Sequence, residues 1–96
     1  MSNRTLILVE ATLEGNINKV QTLLEEGADV NAKANNGATA LHFASKYRHP
    51  DIVAILLANG ANVNTKTYNG VSALQNAESR GYTEIVQLLK DAGARD

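Results

Sequence analysis

Apolar and polar positions along this chain follow the period of short amphipathic helices. In one such run, Ile17, Val20, Leu23 and Leu24 recur at the spacing that places side chains on one face of a helix. Gly27 follows the run, and glycine favours the left-handed turn that often ends a helix. The pattern therefore predicts a short helix with one buried face, closed by a turn.

The same pattern returns at an interval of 33 residues, as Leu8, Leu41 and Leu74 show. A fixed interval of this length is typical of stacked repeat arrays, in which each repeat covers the apolar face of its neighbour. We expect one domain over residues 1–96, with repeats at approximately 1–33, 34–66 and 67–96. Further equivalent sets are Ala11, Ala44 and Ala77; Leu23, Leu56 and Leu89; and Gly27, Gly60 and Gly93.

Several local signals place the helix ends. The first helix is predicted over residues 5–13, with Leu8 and Ala11 facing the next repeat. Either Asn16 or Asn18 can cap the second helix, because a short amide side chain accepts from the first turn. Residues 29–36 are then predicted to form an extended connection that is rich in Asn and Gly.

The later repeats carry stronger signals of the same kind. Thr39 can cap a helix, and Ser72 with Gln75 fits a capping box. Pro50 suits the first residue of a helix. Arg48 stands where the other repeats have glycine after a helix, so we predict a left-handed backbone there, strained by roughly 1 kcal/mol.

The two ends of the array differ from its middle. Lys90 replaces a leucine of the other repeats, and a charge there can stay solvated because no further repeat covers it. We therefore expect both ends to be capped. Leu6, Val9 and Leu13 depart from this rule, since they place apolar side chains on a helix expected to be terminal.

Composition narrows the classes of function. The net charge is −1 and charges of both signs are interspersed, which argues against binding to nucleic acid or to an anionic membrane. The sequence has no cysteine, which excludes disulfides, thiolate zinc sites and cysteine nucleophiles. No apolar run approaches the length of a signal-peptide core or of a membrane span. We expect a cytoplasmic (intracellular) protein.

Candidate catalytic groups are sparse. His42 and His49 are the only histidines, and the predicted helix break at Arg48 separates them, so a paired metal site is not expected. Glu10 and Glu14 share a helix face, but no second helix brings acids opposite them. The sequence therefore predicts no catalytic residue, no metal site and no cofactor.

The central motif resembles the ankyrin repeat. Residues 37–44, GATALHFA, match the family pattern G-x-T-P-L-H-x-A except that Ala40 replaces proline. Residues 52–57, IVAILL, and 60–64, GANVN, are similar to the patterns that follow it in the family. The resemblance implies an all-α solenoid of three helix-turn-helix repeats with β-turn fingers. It also implies that His42 is structural and hydrogen-bonds between the loops of adjacent repeats.

The resemblance further implies a non-catalytic module that binds another protein, of unknown identity, through a concave face and its turn fingers. Tyr and Arg often dominate interface energetics, and both types occur among the implied positions. Local packing of the tyrosines is the competing interpretation. The implied positions are Asn35, Asn36, Ala38, Lys46, Tyr47, Tyr68, Asn69, Val71, Ser79 and Arg80.

Two alternatives stay open at this point. We expect a monomer, but Leu6, Val9 and Leu13 could support weak self-association as a structural unit. The second alternative is an engineered binder scaffold built on the same repeat. Missing family residues, such as proline at Ala40 and Ala73, favour a natural sequence over a consensus design.

Overall fold

Six α-helices form in the part of the chain that this computed structural model describes, residues 3–95. They follow one another as three helix pairs, and the two helices of each pair are joined by a turn of two or three residues. Such short turns favour antiparallel neighbours. The helices are α1 (Asn3–Glu14), α2 (Ile17–Glu25), α3 (Ala40–Lys46), α4 (Pro50–Ala58), α5 (Ala73–Arg80) and α6 (Thr83–Asp91).

The helix pairs stack in two layers. The inner layer consists of α1, α3 and α5, with α3 in contact with both of the others. The outer layer consists of α2, α4 and α6, again with the middle helix touching both neighbours. This arrangement confirms the all-α solenoid of helix-turn-helix repeats, because each pair contacts only the adjacent pair in a nearest-neighbour array.

The core follows the 33-residue interval. Leu41, Leu74 and Leu8 are each at most 2% exposed, and they occupy equivalent positions in the inner layer. Leu56 and Leu89 are fully buried in the outer layer. The prediction that Leu41 and Leu56 belong to the core is therefore confirmed.

Left-handed residues end all three inner helices. Gly15 and Gly81 both have φ 70°, and Arg48 has φ 62° at the equivalent position. Among residues 3–95, Arg48 is the one non-glycine residue with a positive φ. The predicted left-handed turn at Arg48 is therefore confirmed, and its side chain must compensate for the strain.

The predicted helix starts are also observed. Asn16, rather than Asn18, caps α2, since its Oδ1 accepts from the Lys19 backbone N–H at 3.1 Å. Ser72 and Gln75 form a capping box at α5, with bonds of 3.1 and 2.9 Å. Pro50 is the first residue of α4.

The N-terminal repeat corrects two predictions. Val9 is only 7% exposed and belongs to the core, so it does not share a free face with Leu6 and Leu13. Ile17, predicted as a core residue of α2, is 36% exposed because no earlier helix pair covers it among the described residues. The first helix also begins at Asn3, two residues before the predicted start.

Candidate functional site

Two turns between the helix pairs project beside the inner helices, and we call them the first finger (residues 29–39) and the second finger (residues 62–72). Each is closed by a bond across its base, Ala34 N–H to Ala38 O at 2.8 Å and Thr67 N–H to Val71 O at 2.9 Å. Equivalent bonds in both fingers show that the 33-residue repeat extends to the turn geometry.

The tips of the two fingers are held together. The Tyr68 backbone N–H donates to the Asn36 carbonyl at 3.1 Å. The Tyr68 ring lies over Gly37, where an added Cβ would come within 2.9 Å of Tyr68 Cδ1. Gly37 also has φ +83°, so the position requires glycine both for its backbone angle and for space.

His42 joins the second finger to the inner helix of the preceding repeat. Its Nδ1 accepts from the Thr39 backbone N–H at 3.0 Å, which leaves the proton on Nε2. Nε2 then donates to the Val71 carbonyl at 3.0 Å. The predicted structural role of His42 is therefore confirmed, and both ring nitrogens are used in the protein.

Burial controls the charge of this imidazole. Removal of His42 from water lowers its pKa below the ordinary value, while hydrogen bonds to the Val71 and Thr65 backbones act in the opposite direction. The neutral ring is the form that fits the bonds above, because a proton on Nδ1 would face the Thr39 N–H donor.

Asparagine side chains tie the repeats together on another edge. Asn31 Nδ2 donates to the Gly60 carbonyl at 3.1 Å, and its Oδ1 accepts from the Asn62 N–H at 2.7 Å. Asn64 makes the same two bonds one repeat later, to Gly93 O at 3.3 Å and from Arg95 N–H at 3.1 Å. The sequence analysis registered these asparagines as repeated but assigned them no role.

A groove runs between the two fingers and along the inner helices. Its first part is a cavity of about 180 Å³ to which both fingers, α3 and α5 contribute. A second, more open part follows along α5 and shares Asn69, Val71 and Asn76 with the first. The groove is lined by Asn36, Ala38, His42, Phe43, Lys46, Thr67, Asn69, Gly70, Val71, Gln75, Asn76, Glu78 and Ser79.

Six of the ten residues implied by the resemblance line this groove, and four lie outside its lining. The six are Asn36, Ala38, Lys46, Asn69, Val71 and Ser79. The four are Asn35, Tyr47, Tyr68 and Arg80, all of which are exposed. Ala38 is 3% exposed, so it forms part of the groove wall but offers little contact area.

The tyrosines occupy different surroundings from the groove. Tyr68 is 72% exposed at the tip of the second finger. Tyr47 is 49% exposed, and the Lys46 ammonium lies 5.4 Å from its ring centre. Arg80 donates to the Asn76 carbonyl at 3.2 Å and to Ser79 Oγ at 3.3 Å, so its guanidinium is tied to the end of α5.

Phe43 and Asn76 are groove residues that the sequence analysis did not single out. They hold equivalent positions on α3 and α5, 33 residues apart, and both line the first cavity. The repeat register could have identified them, because each lies three residues before an implied contact, Lys46 or Ser79.

A second surface lies at the opposite turns, between the inner and outer helices. The Arg48 guanidinium stacks over the Tyr82 ring at 5.4 Å from its centre. Arg48 and Tyr82 line a cavity of about 210 Å³ together with Pro50, Thr83, Glu84 and Ile85. This contact crosses the boundary between the second and third repeats.

Within residues 3–95, no group of three or more His, Cys, Asp or Glu side chains is arranged to hold a metal ion. Across the same residues, no helix has both the length and the apolar content needed to cross a membrane.

Comparison with known families identifies the repeat. The family model described as "Ankyrin repeats (3 copies)" matches residues 5–96. The chain belongs to the ankyrin-repeat family. Ankyrin repeats are generally protein–protein interaction modules and are typically not catalytic.

The ankyrin segment is also similar to parts of much longer proteins. Over 43 residues it is 46% identical to the eye-specific diacylglycerol kinase of Drosophila melanogaster, which covers 45% of this chain and 3% of the relative. Over 54 residues it is 48% identical to the mitochondrial disaggregase of Homo sapiens, covering 56% of this chain and 8% of the relative. The chain thus spans less than a tenth of the length of either relative, and the similarity reflects the repeats.

Proposed function

We propose that this chain is a non-catalytic binding module whose partner is another protein, docked against the fingers and inner helices. The observation that carries the proposal is the groove between the fingers. Its walls are braced by the His42–Val71 and Tyr68–Asn36 hydrogen bonds, which make them a preorganised surface.

The exposed residues at the rim extend this surface. Tyr47 and Tyr68 supply large aromatic contact area with few rotatable bonds, and Arg80 offers forked donors. We propose that these three residues, with Asn35 beside the finger tips, contact the partner around the groove. The proposed setting is the cytoplasm, which cell fractionation would test.

The direct test is affinity capture with the whole chain, followed by mass spectrometry and cross-linking of the captured partner. Cross-links that map to the fingers and to α3 and α5 support the proposal. Cross-links confined to the outer helices α2, α4 and α6 contradict it. A Gln21→Ala variant on α2 serves as a surface control that should capture the same partner.

One observation favours a second candidate, self-association through the N-terminal repeat. Leu6, Ile7 and Leu13 of α1 are 40%, 36% and 43% exposed, and Ile17 at the start of α2 is 36% exposed. Val9 is not part of this surface, as described above. Sedimentation equilibrium distinguishes the candidates: a monomer at high concentration excludes self-association, whereas a dimer lost on Leu6→Gln supports it.

A further inference from the structure

The groove carries a chemical pattern that specifies its occupant more closely than the family does. We infer that it binds an extended acidic peptide segment that places one apolar side chain in the cavity beside Phe43. This inference rests on the proposed function, because it names the kind of partner that the same surface accepts.

The first step is the shape and lining of the cavity. Phe43, Ala38 and Val71 contribute apolar surface to a space of about 180 Å³. A cavity of about 150 Å³ is large enough to hold a benzene molecule, so this one can receive a single apolar side chain. Lys46 lines the same cavity, which places a cation next to the apolar site.

The second step concerns the amides along the groove. The side-chain amides of Asn69 and Asn76 make no hydrogen bond within the described part of the chain. An amide offers both donors and an acceptor. A peptide in a helix satisfies its own backbone groups, whereas an extended peptide leaves N–H and C=O groups open. Free amides along a groove therefore favour an extended occupant.

The third step is the distribution of charge. Lys33 and Lys66 are exposed at equivalent positions on the two fingers, and Lys46 lies between them on α3. None of the three lysines forms an ion pair within residues 3–95. From residue 30 to residue 77 the only carboxylate is Asp51, which lies at the start of the outer helix α4.

This distribution gives the groove a positive end although the whole chain has a net charge of −1. Complementary charge raises the association rate and selects partners. Glu78 lines the opposite end of the groove, on α5. We therefore expect the acidic residues of the peptide near Lys46 and not near Glu78.

The probe for the test is a phage-displayed library of random dodecapeptides, selected against the immobilised whole chain. The most enriched sequence is then synthesised with a fluorescent label, and its Kd is measured by anisotropy. We expect enriched sequences to carry Asp or Glu within a few residues of an apolar side chain. No enrichment, or enriched sequences without an acidic excess, would overturn the inference.

Two matched substitutions locate the charge effect. Lys46→Glu should raise the Kd at least about tenfold, which corresponds to about 1.4 kcal/mol. Lys19→Glu makes the same change in net charge on the outer helix α2, and we expect less than about a twofold effect. Equal weakening by both substitutions would show that the charge effect is non-specific, and it would overturn the inference.

Two further variants use residues that the chain itself places at equivalent positions, which limits the risk of unfolding. Lys46→Ser copies Ser79, and Phe43→Asn copies Asn76. Both should weaken the peptide by at least about fivefold, the scale of an interface anchor, while the melting temperature changes little. A peptide that binds all of these folded variants equally well lies outside the groove and contradicts the inference.

The inference and the proposed function fail separately. If a captured partner protein depends on Tyr47 or Tyr68 while no acidic peptide is selected, only the peptide chemistry is wrong. If neither substitution affects the captured partner and its cross-links lie on the outer helices, the proposed function is wrong as well.

Discussion

The Arg48 guanidinium lies 5.4 Å from the centre of the Tyr82 ring, across the boundary between the second and third repeats. The backbone of Arg48 is left-handed, with φ 62°, where glycine is the residue of lowest strain. The stacking contact offsets that strain, since a cation over an aromatic ring at an exposed site contributes about 0.5–1 kcal/mol. Arg48 therefore combines a local cost with a contact between repeats.

Substitution of Arg48 separates these two terms. Arg48→Gly removes about 1 kcal/mol of strain and loses a contact of similar size, so we expect neutral or slightly increased stability. Arg48→Ala keeps the strain but loses the contact, and we expect a loss of about 0.5–1 kcal/mol. Urea denaturation measures both. In a Tyr82→Leu background Arg48→Gly should stabilise more clearly; identical effects in the two backgrounds would show that the stacking contributes nothing.

Leu56 lies in the middle of the outer layer and is fully buried. We predict that Leu56→Ala lowers the free energy of unfolding by about 2–5 kcal/mol, because it removes buried methyl groups and leaves a cavity. Loss of the central repeat also removes a neighbour from each terminal repeat. The control is Leu13→Ala, which is 43% exposed and should cost less than about 1 kcal/mol. Similar losses for the two leucines would contradict the observed core.

His42 makes the stability depend on pH. Burial holds its pKa in the folded chain below about 6.5, the value expected in the unfolded chain. The unfolded state therefore binds the proton first as the pH falls. The contribution of His42 to stability is complete above about pH 6.5 and is lost progressively between that value and the lower folded pKa.

Denaturation at about pH 7.5 and about pH 5.5 checks this expectation. His42→Gln is the matched variant, since Gln75 occupies the equivalent position in the third repeat. The variant should lose less stability than the parent over this interval. A parent and a variant with the same pH dependence would show that another group titrates instead.

Asn64 bridges two repeats through both ends of its amide. We predict that Asn64→Ala costs about 1–2 kcal/mol, because two hydrogen bonds are lost and each contributes about 0.5–1.5 kcal/mol. Asn18→Ala is the control, since Asn18 is exposed and forms no hydrogen bond within residues 3–95. Thermal unfolding of the two variants compares them directly, and equal stability would mean that water replaces the Asn64 bonds at no cost.

Tyr47 and Tyr68 are predicted anchors for a partner protein. Once a partner is identified, Tyr47→Ala or Tyr68→Ala should weaken binding by at least about 1–2 kcal/mol, measured by calorimetry. Tyr47→Ala should leave thermal stability nearly unchanged, because the side chain is half exposed. Gln21→Ala and Glu25→Ala on the outer helix should change affinity by less than about 0.5 kcal/mol. Binding that survives both tyrosine variants but fails when Leu6 or Leu13 is made polar would move the interface to α1.

The amino-acid sequence alone determined the helices, their caps and the core. The spacing of Leu41 and Leu56 reports which faces are buried, and Pro50 and Gly81 mark where helices begin and end, because these preferences depend on nearby residues. The interval of 33 residues was sufficient to place Arg48 in a left-handed turn, since the equivalent residues are glycines.

Only the tertiary structure decided which side chains meet across repeats. The stacking of Arg48 on Tyr82, the seat of Tyr68 on Gly37 and the two bonds of Asn64 join residues about 30 positions apart, and periodicity does not specify side-chain orientation between neighbours. The same limit explains why Val9 is buried although its spacing matches exposed Leu6 and Leu13. A helix face is defined by what covers it, and that covering comes from the next repeat.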